Sequence, residues 1–215
     1  MNASTVLCLS LILTTSLSWG SLLKIETGDK MLEKVPLAKS ATLQIDGKST
    51  TLQALGAGLR QKKVLFVHVK VYVAELFANE GVLFHRTESE ALNSMDSANS
   101  SAIRLTFLRS VDAEKVQASF KEALIANKVD LKDASIDSFL NAVNKSGEAQ
   151  EGKSLILALQ KNSDGTETLL FEDANEKIAK ITGSKGLAKS ILAIWLGHTA
   201  DDGIAKLKES LLKGL

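Results

Sequence analysis

The chain has 215 residues, with 26 Lys and Arg set against 25 Asp and Glu for a formal net charge of +1. So even a balance supplies no global field for nucleic acid, and no Lys/Arg-rich amphipathic helix stands out to favour a membrane surface. The only cysteine is Cys8, so the chain beyond it can form neither a disulfide nor a catalytic thiolate.

Residues 1–20 hold no charged side chain, and Val6 to Leu13 is mostly apolar. Small and polar residues follow as far as Ser21, which satisfies the rule for signal-peptidase cleavage after Ser18 or Gly20. A membrane anchor would need about 20 apolar residues in succession, and Ser10, Thr14 and Thr15 interrupt this stretch. Cys8 has too little chain ahead of it to be a lipoprotein anchor. The expectation is a cleaved Sec-type leader over residues 1–20, with a periplasmic or otherwise exported product that keeps no stable membrane anchor. One domain should fill residues 21–215, long enough to bury a core without staples.

In chain order, Thr42–Ile45 and Thr50–Leu52 flank Asp46-Gly47, which predicts two strands joined by a tight turn. After Gly56-Ala-Gly58, the run Val64–Phe77 alternates with Leu65, Val67, Val69, Val71 and Val73 on one face, read as core. Phe66, His68, Lys70, Tyr72 and Ala74 take the other, mixed face. Thr87-Glu-Ser-Glu90 has capping-box spacing and predicts a short helix to about Met95. Ala102–Arg109 alternates again, with Ile103, Leu105 and Phe107 facing one way. Asp112 is placed to cap a helix striped by Val116, Phe120 and Leu124, and Ile136, Phe139, Leu140 and Val143 stripe the next. Ser154–Gln160 and Thr166–Phe171 enclose the hairpin signal Asn162-Ser-Asp-Gly165. Two helices close the chain, striped by Leu187, Ile191, Leu192 and Trp195 and by Ile204, Leu207 and Leu211. The order of elements implies an α+β domain, an antiparallel sheet with helices packed on one face.

His68, His85 and His198 have no short-range ligand spacing, so no metal or haem site is expected. No dinucleotide fingerprint or phosphate-binding loop is present, and no cofactor is expected. Asp201-Asp202 reads as a cap and dipole partner for the last helix.

Leu55-Gly-Ala-Gly-Leu-Arg60, followed by Lys70-Val-Tyr-Val-Ala-Glu-Leu-Phe77, resembles the opening of the chalcone isomerase superfamily. Ile103–Arg109, Gly152–Asp164 and Ile191–Gly197 are similar to its later segments in the same order, so the likeness runs from Thr42 to the C-terminus. Trp195-Leu-Gly197 and the leader look most like the exported bacterial branch. The resemblance implies an open-faced β-sandwich. It also implies a departure from the enzymes, which cyclise chalcones with an arginine, a threonine and a tyrosine. The arginine matches Arg60, but the threonine position falls on Tyr72 and the tyrosine position near Val116. A cleft lysine becomes Arg109, and a Thr-Met pair becomes Ile194-Trp195.

Ligand-binding candidates are accordingly Arg60, Tyr72, Arg109 and Trp195, with no catalytic residue and no metal ligand assigned. The resemblance to plant fatty-acid-binding members implies a non-catalytic protein that holds a fatty acid or similar amphipathic carboxylate, with Arg60 at the head group. Two other readings stand beside it: an intramolecular lyase or isomerase on another substrate, and an envelope protein whose cleft is filled by side chains. For Arg60 itself the plain alternative is an ion pair with a neighbour such as Glu75, with Gly56 and Gly58 serving a turn. For Trp195 it is core packing.

Overall fold

The structure, a computed structural model, describes residues 21–215; the expected leader lies outside them. One antiparallel sheet runs in chain order through β1 (Leu23–Leu32), β2 (Val35–Ile45), β3 (Lys48–Val64), β4 (Val67–Asn79), β5 (Ser100–Phe107), β6 (Ser154–Lys161), β7 (Glu167–Glu172) and β8 (Ile178–Gly183). Five helices punctuate it: α1 (Ala91–Ser94), α2 (Ala113–Ala126), α3 (Ala134–Lys145), α4 (Leu187–Leu196) and α5 (Asp202–Lys213). Helices α2 to α5 pack on one face, as expected. Tyr72, Ala74 and Leu76 of β4 and Ile103, Leu105 and Phe107 of β5 share their core with Phe120, Phe139, Trp195 and Leu207.

The other face is covered by the sheet itself. Phe77, Ala102, Ile156 and Leu170 meet Leu23, Ala41, Leu43 and Leu52 there. Two bonds between strands that are not neighbours show the fold-over: Leu22 N–H donates to Glu172 of β7 at 2.5 Å, and Ala38 N–H donates to Glu75 of β4 at 2.8 Å.

The Asp46-Gly47 turn forms as predicted, both residues at positive φ (48° and 77°). Two strands exceed the prediction. β1 was missed because its outward positions are exposed and polar, and β8 because Ile178–Gly183 carries little apolar pattern. The run Val64–Phe77 is not one strand: Leu65 and Phe66 form a two-residue loop, and Leu65 and Val67 are exposed rather than core. The predicted alternation also breaks at a bulge. Arg60 pairs with Tyr72 and Gln61 with Lys70, which leaves Val71 as the extra residue. A bulge shifts the inside–outside phase by one position, so Val69 and Val71 come to share the helix-covered side with Tyr72, whereas Val73 faces the other way.

Gly56 and Gly58 are not turn residues. They lie within β3, where α5 rests backbone to backbone on the strand. A Cβ at Gly56 would stand 2.1 Å from the Leu211 carbonyl oxygen, and one at Gly58 would stand 2.7 Å from Leu207 Cδ1. Gly56→Ala should therefore lift α5 and destabilise the fold by about 1–3 kcal/mol, measured as a lowered denaturation midpoint. Gly147→Ala, whose added methyl meets nothing within 4 Å but whose φ is positive, is the control for backbone strain without a clash.

Candidate functional site

A cleft of about 470 Å³ opens between the far ends of β3 and β4, the end of β5 and the first half of α2. Seven of its lining residues are apolar: Val64, Val69, Val71, Phe107, Val111, Val116 and Phe120. The remainder are Arg60, Tyr72, Lys62, Arg109, Lys115, Ser110 and Ser119. Such a ratio of apolar wall to placed polar groups suits an amphipathic small molecule.

Arg60 is brought to the inner end by α5. The residue is 2 % exposed, yet both terminal nitrogens donate to Asp201, Nη1 to Oδ1 at 2.9 Å and Nη2 to Oδ2 at 2.6 Å. Nη1 also donates to the Gln61 carbonyl. Asp201 is at the same time the N-cap of α5, accepting from Ile204 N–H at 2.9 Å. A forked carboxylate of this kind is the strongest partner a guanidinium can have. The partner is thus not Glu75. Tyr72, opposite Arg60, and Glu75 are three positions apart on β4, an odd spacing that puts them on opposite faces. Glu75 is instead fully buried against Arg104, whose Nε donates to it at 2.7 Å.

Tyr72 sits beside Arg60 across the strand pair and packs its ring against Phe107 at 5.5 Å. Its hydroxyl accepts from Trp195 Nε1 at 3.1 Å. Burial pushes the phenol up from its usual range, against the opposing pull of the Arg60 charge and of the Trp195 bond, so Tyr72 is a protonated donor at neutral pH.

Trp195 is fully buried behind Tyr72, edge-on to Phe120 at 5.6 Å, and does not line the cleft. Its role is to orient the phenol, and the bulk that replaces the enzymes' smaller pair is spent in the core rather than in the cavity.

Arg109 lies just past the end of β5 at the mouth, where Lys62 also opens. Among the described residues neither has a carboxylate within ion-pair distance. The third cation, Lys115, is held by Asp112 at 2.5 Å. Asp112 begins α2 but spends its carboxylate on that lysine rather than on the helix N–H groups. Among the described residues no three His, Cys, Asp or Glu side chains converge as a metal site would require.

Of the four candidates read from the sequence, the structure brings Arg60, Tyr72 and Arg109 to one cleft. Sequence reasoning assigned Asp201 to the helix cap and missed that the same carboxylate neutralises Arg60 from 141 positions away. The signal that could have pointed to it is the pairing of a glycine stripe with a cap beginning Asp201-Asp-Gly203. Gly203 lies so close that a Cβ there would stand 2.1 Å from Arg60 Nη1.

Burial pushes the Asp201 carboxyl up, but the Arg60 hydrogen bond, the Ile204 N–H and the Arg60 charge outweigh it and hold the group below its ordinary value. A folded-state value below the unfolded one means that the contribution is complete above the ordinary carboxylate range and is lost as pH falls through the lowered value. Asp201→Asn keeps a good N-cap and removes the charge. The stability gap between wild type and variant should be widest at neutral pH and close on acidification, as read by urea titration at several pH values. Separately, Tyr72→Phe strips the acceptor from the buried indole N–H and should cost about 1–3 kcal/mol. In a double-mutant cycle, Trp195→Phe should remove most of that cost; additivity of the two changes would deny the bond.

The comparisons with known proteins agree on the fold. The sequence profile of a family described as chalcone isomerase-like matches residues 30–213. Among solved structures, a fatty-acid-binding protein of Arabidopsis thaliana is similar with a TM-score of 0.53 at 16 % identity, covering 80 % of this chain and 95 % of that one. Among curated proteins, none matches.

Proposed function

The chain belongs to the chalcone isomerase-like family, and we propose that it is a non-catalytic, exported binding protein for a single-chain amphipathic carboxylate, a fatty acid in the first instance. The carrying observation is the cleft itself: an apolar-walled space of about 470 Å³ with a buried polar group at its inner end and two carboxylate-free cations at its mouth. The export part of the proposal rests on the charge-free, apolar leader at residues 1–20. The structural likeness to a protein named for fatty-acid binding supports the ligand class as an analogy of fold.

The Arg60–Asp201 pair revises how the head group would be held. Arg60 has its charge cancelled, so a second carboxylate beside it would gather two anions around one cation in a desolvated place, an unfavourable arrangement. Arg109 and Lys62 have no such competitor. In this reading they take the carboxylate at the mouth, the tail runs inward over Phe107 and Phe120, and Arg60 with Tyr72 forms the polar wall where the tail ends.

The non-catalytic part is supported by the lining. It contains no carboxylate, imidazole or threonine, and the one phenol is held protonated and engaged by Trp195, which leaves no general base at neutral pH.

The test is native mass spectrometry and titration with palmitate. Arg109→Gln should weaken binding about tenfold or more, the worth of one charge-assisted hydrogen bond, and Lys62→Gln should add to it. Unchanged binding in both variants with loss in Tyr72→Phe would move the head group to the inner end. Absence of any bound acid would end the carrier reading.

A further inference from the structure

The tip of the β3–β4 hairpin carries side chains that folding does not explain. Leu65 and Phe66, its two-residue loop, are 85 % and 94 % exposed, and Val64 and Val67 beside them are exposed as well. Leu65 has φ 55°, in the left-handed region where such loops ordinarily carry Gly, Asn or Asp. A branched apolar residue there stores strain and gains no packing, and departures of that kind mark functional positions. The β1–β2 turn lies alongside, because Glu33 binds Lys70 at 2.6 Å, and it adds exposed Met31. Five of the eight large apolar side chains left exposed among the described residues thus gather at one end of the molecule, which sets this patch apart from scattered surface residues.

The charge on the hairpin tip itself is positive. No acidic residue occurs from Gln61 to Ala74, while Lys62, Lys63 and Lys70 flank the tip. Of the acids on the neighbouring elements, Glu33 is engaged by Lys70 and Asp112 by Lys115. An apolar wedge ringed by ammonium groups matches an anionic lipid surface: the wedge enters the acyl boundary and the cations lie among the head-group phosphates. A two-residue loop is too narrow to supply the roughly 800 Å² per partner that a stable protein interface buries.

We propose that this hairpin docks the protein on an anionic bilayer, with Leu65 and Phe66 inserted and Lys62 and Lys63 at the head groups. Docking sets the mouth of the cleft, walled by Lys62, Val64 and Val69, at the lipid surface. It stands whether or not the cleft carries an acid. Among the described residues no helix is long and apolar enough to cross a membrane, and the proposed attachment is peripheral.

The test is co-sedimentation of the leader-processed protein, purified after expression of the full chain, with vesicles of phosphatidylcholine alone or mixed with phosphatidylglycerol. The wild type should partition onto the mixed vesicles, less so as salt is raised. Leu65→Gly/Phe66→Asn puts glycine at the one loop position with positive φ, and should fold at least as well, retain palmitate binding in solution and lose vesicle affinity about tenfold or more. Lys63→Gln, which leaves the cleft lining untouched, should lose chiefly the preference for phosphatidylglycerol. Equal partitioning of this double variant, no binding of the wild type to either vesicle, or a wild-type dimer that the double variant abolishes would each overturn the proposal.

Discussion

The helix-covered side of the fold depends on the fork between Arg60 and Asp201. Helix α5 can lie on β3 only because Gly56 and Gly58 offer no side chain beneath Leu207 and Leu211. That close approach brings the N-terminus of α5 over the next residue on the same face, Arg60, and buries a guanidinium that would be costly alone. Asp201 resolves the cost and caps the helix with the same carboxylate. Glycine stripe, buried arginine and acidic cap are therefore one device. It also fixes Tyr72, since Arg60 is its cross-strand partner.

The same logic is repeated on the opposite face with different residues. Glu75 is fully buried, receives the Ala38 N–H and the Arg104 guanidinium, and ties the folded-over β2 to the middle of the sheet. Two arginine–carboxylate pairs thus flank the sheet, one on each side, and neither leaves a net charge inside. Breaking either pair would leave an arginine in a low-dielectric setting without its carboxylate, which is costly. Here they select which strands fold across and where α5 begins. Of the cations that line the cleft, Lys62 and Arg109 have no carboxylate within ion-pair distance among the described residues, and both are at its mouth.

Much of this was legible in the sequence where the periodicity was strong and local. The Asp46-Gly47 turn, the stripes of α2 to α5, the Ser154–Phe171 hairpin and the placement of helices on one face could all be read from spacing. What spacing could not carry was any feature set by a partner far along the chain. Asp201 satisfies the local chemistry of an N-cap completely, so nothing in its neighbourhood asks for a second role. The bulge at Val71 is invisible in a run of alternating valines, and it alone decides that Val69 and Val71 join Tyr72 in the cleft. Trp195 was placed on the right helix and misassigned to the cavity, because a stripe position tells which face is buried and not whether it meets a ligand or a phenol. The Trp-Leu-Gly signature has its own explanation: a Cβ at Gly197 would stand 2.0 Å from Asn127 Oδ1, whose amide binds the Ala193 and His198 carbonyls.

The bulge also explains how one pair of strands serves both ends of the cleft. Along β3, Arg60, Lys62 and Val64 keep strict alternation and present, in order, a neutralised arginine, a free lysine and an apolar residue beside the tip. On β4 the phase shift at Val71 lets two successive residues, Val71 and Tyr72, face the same space, which widens the apolar wall just where the polar end begins. Beyond Val64 the alternation runs into a loop whose residues fit neither rule of the sheet: Leu65 holds a backbone angle suited to glycine, and Phe66 has nothing to pack on. A sequence under pressure only to fold would carry polar turn residues there. The hairpin thus runs in a single gradient from buried ion pair to free cation to exposed apolar tip, with both outer parts set by residues that folding alone would not choose.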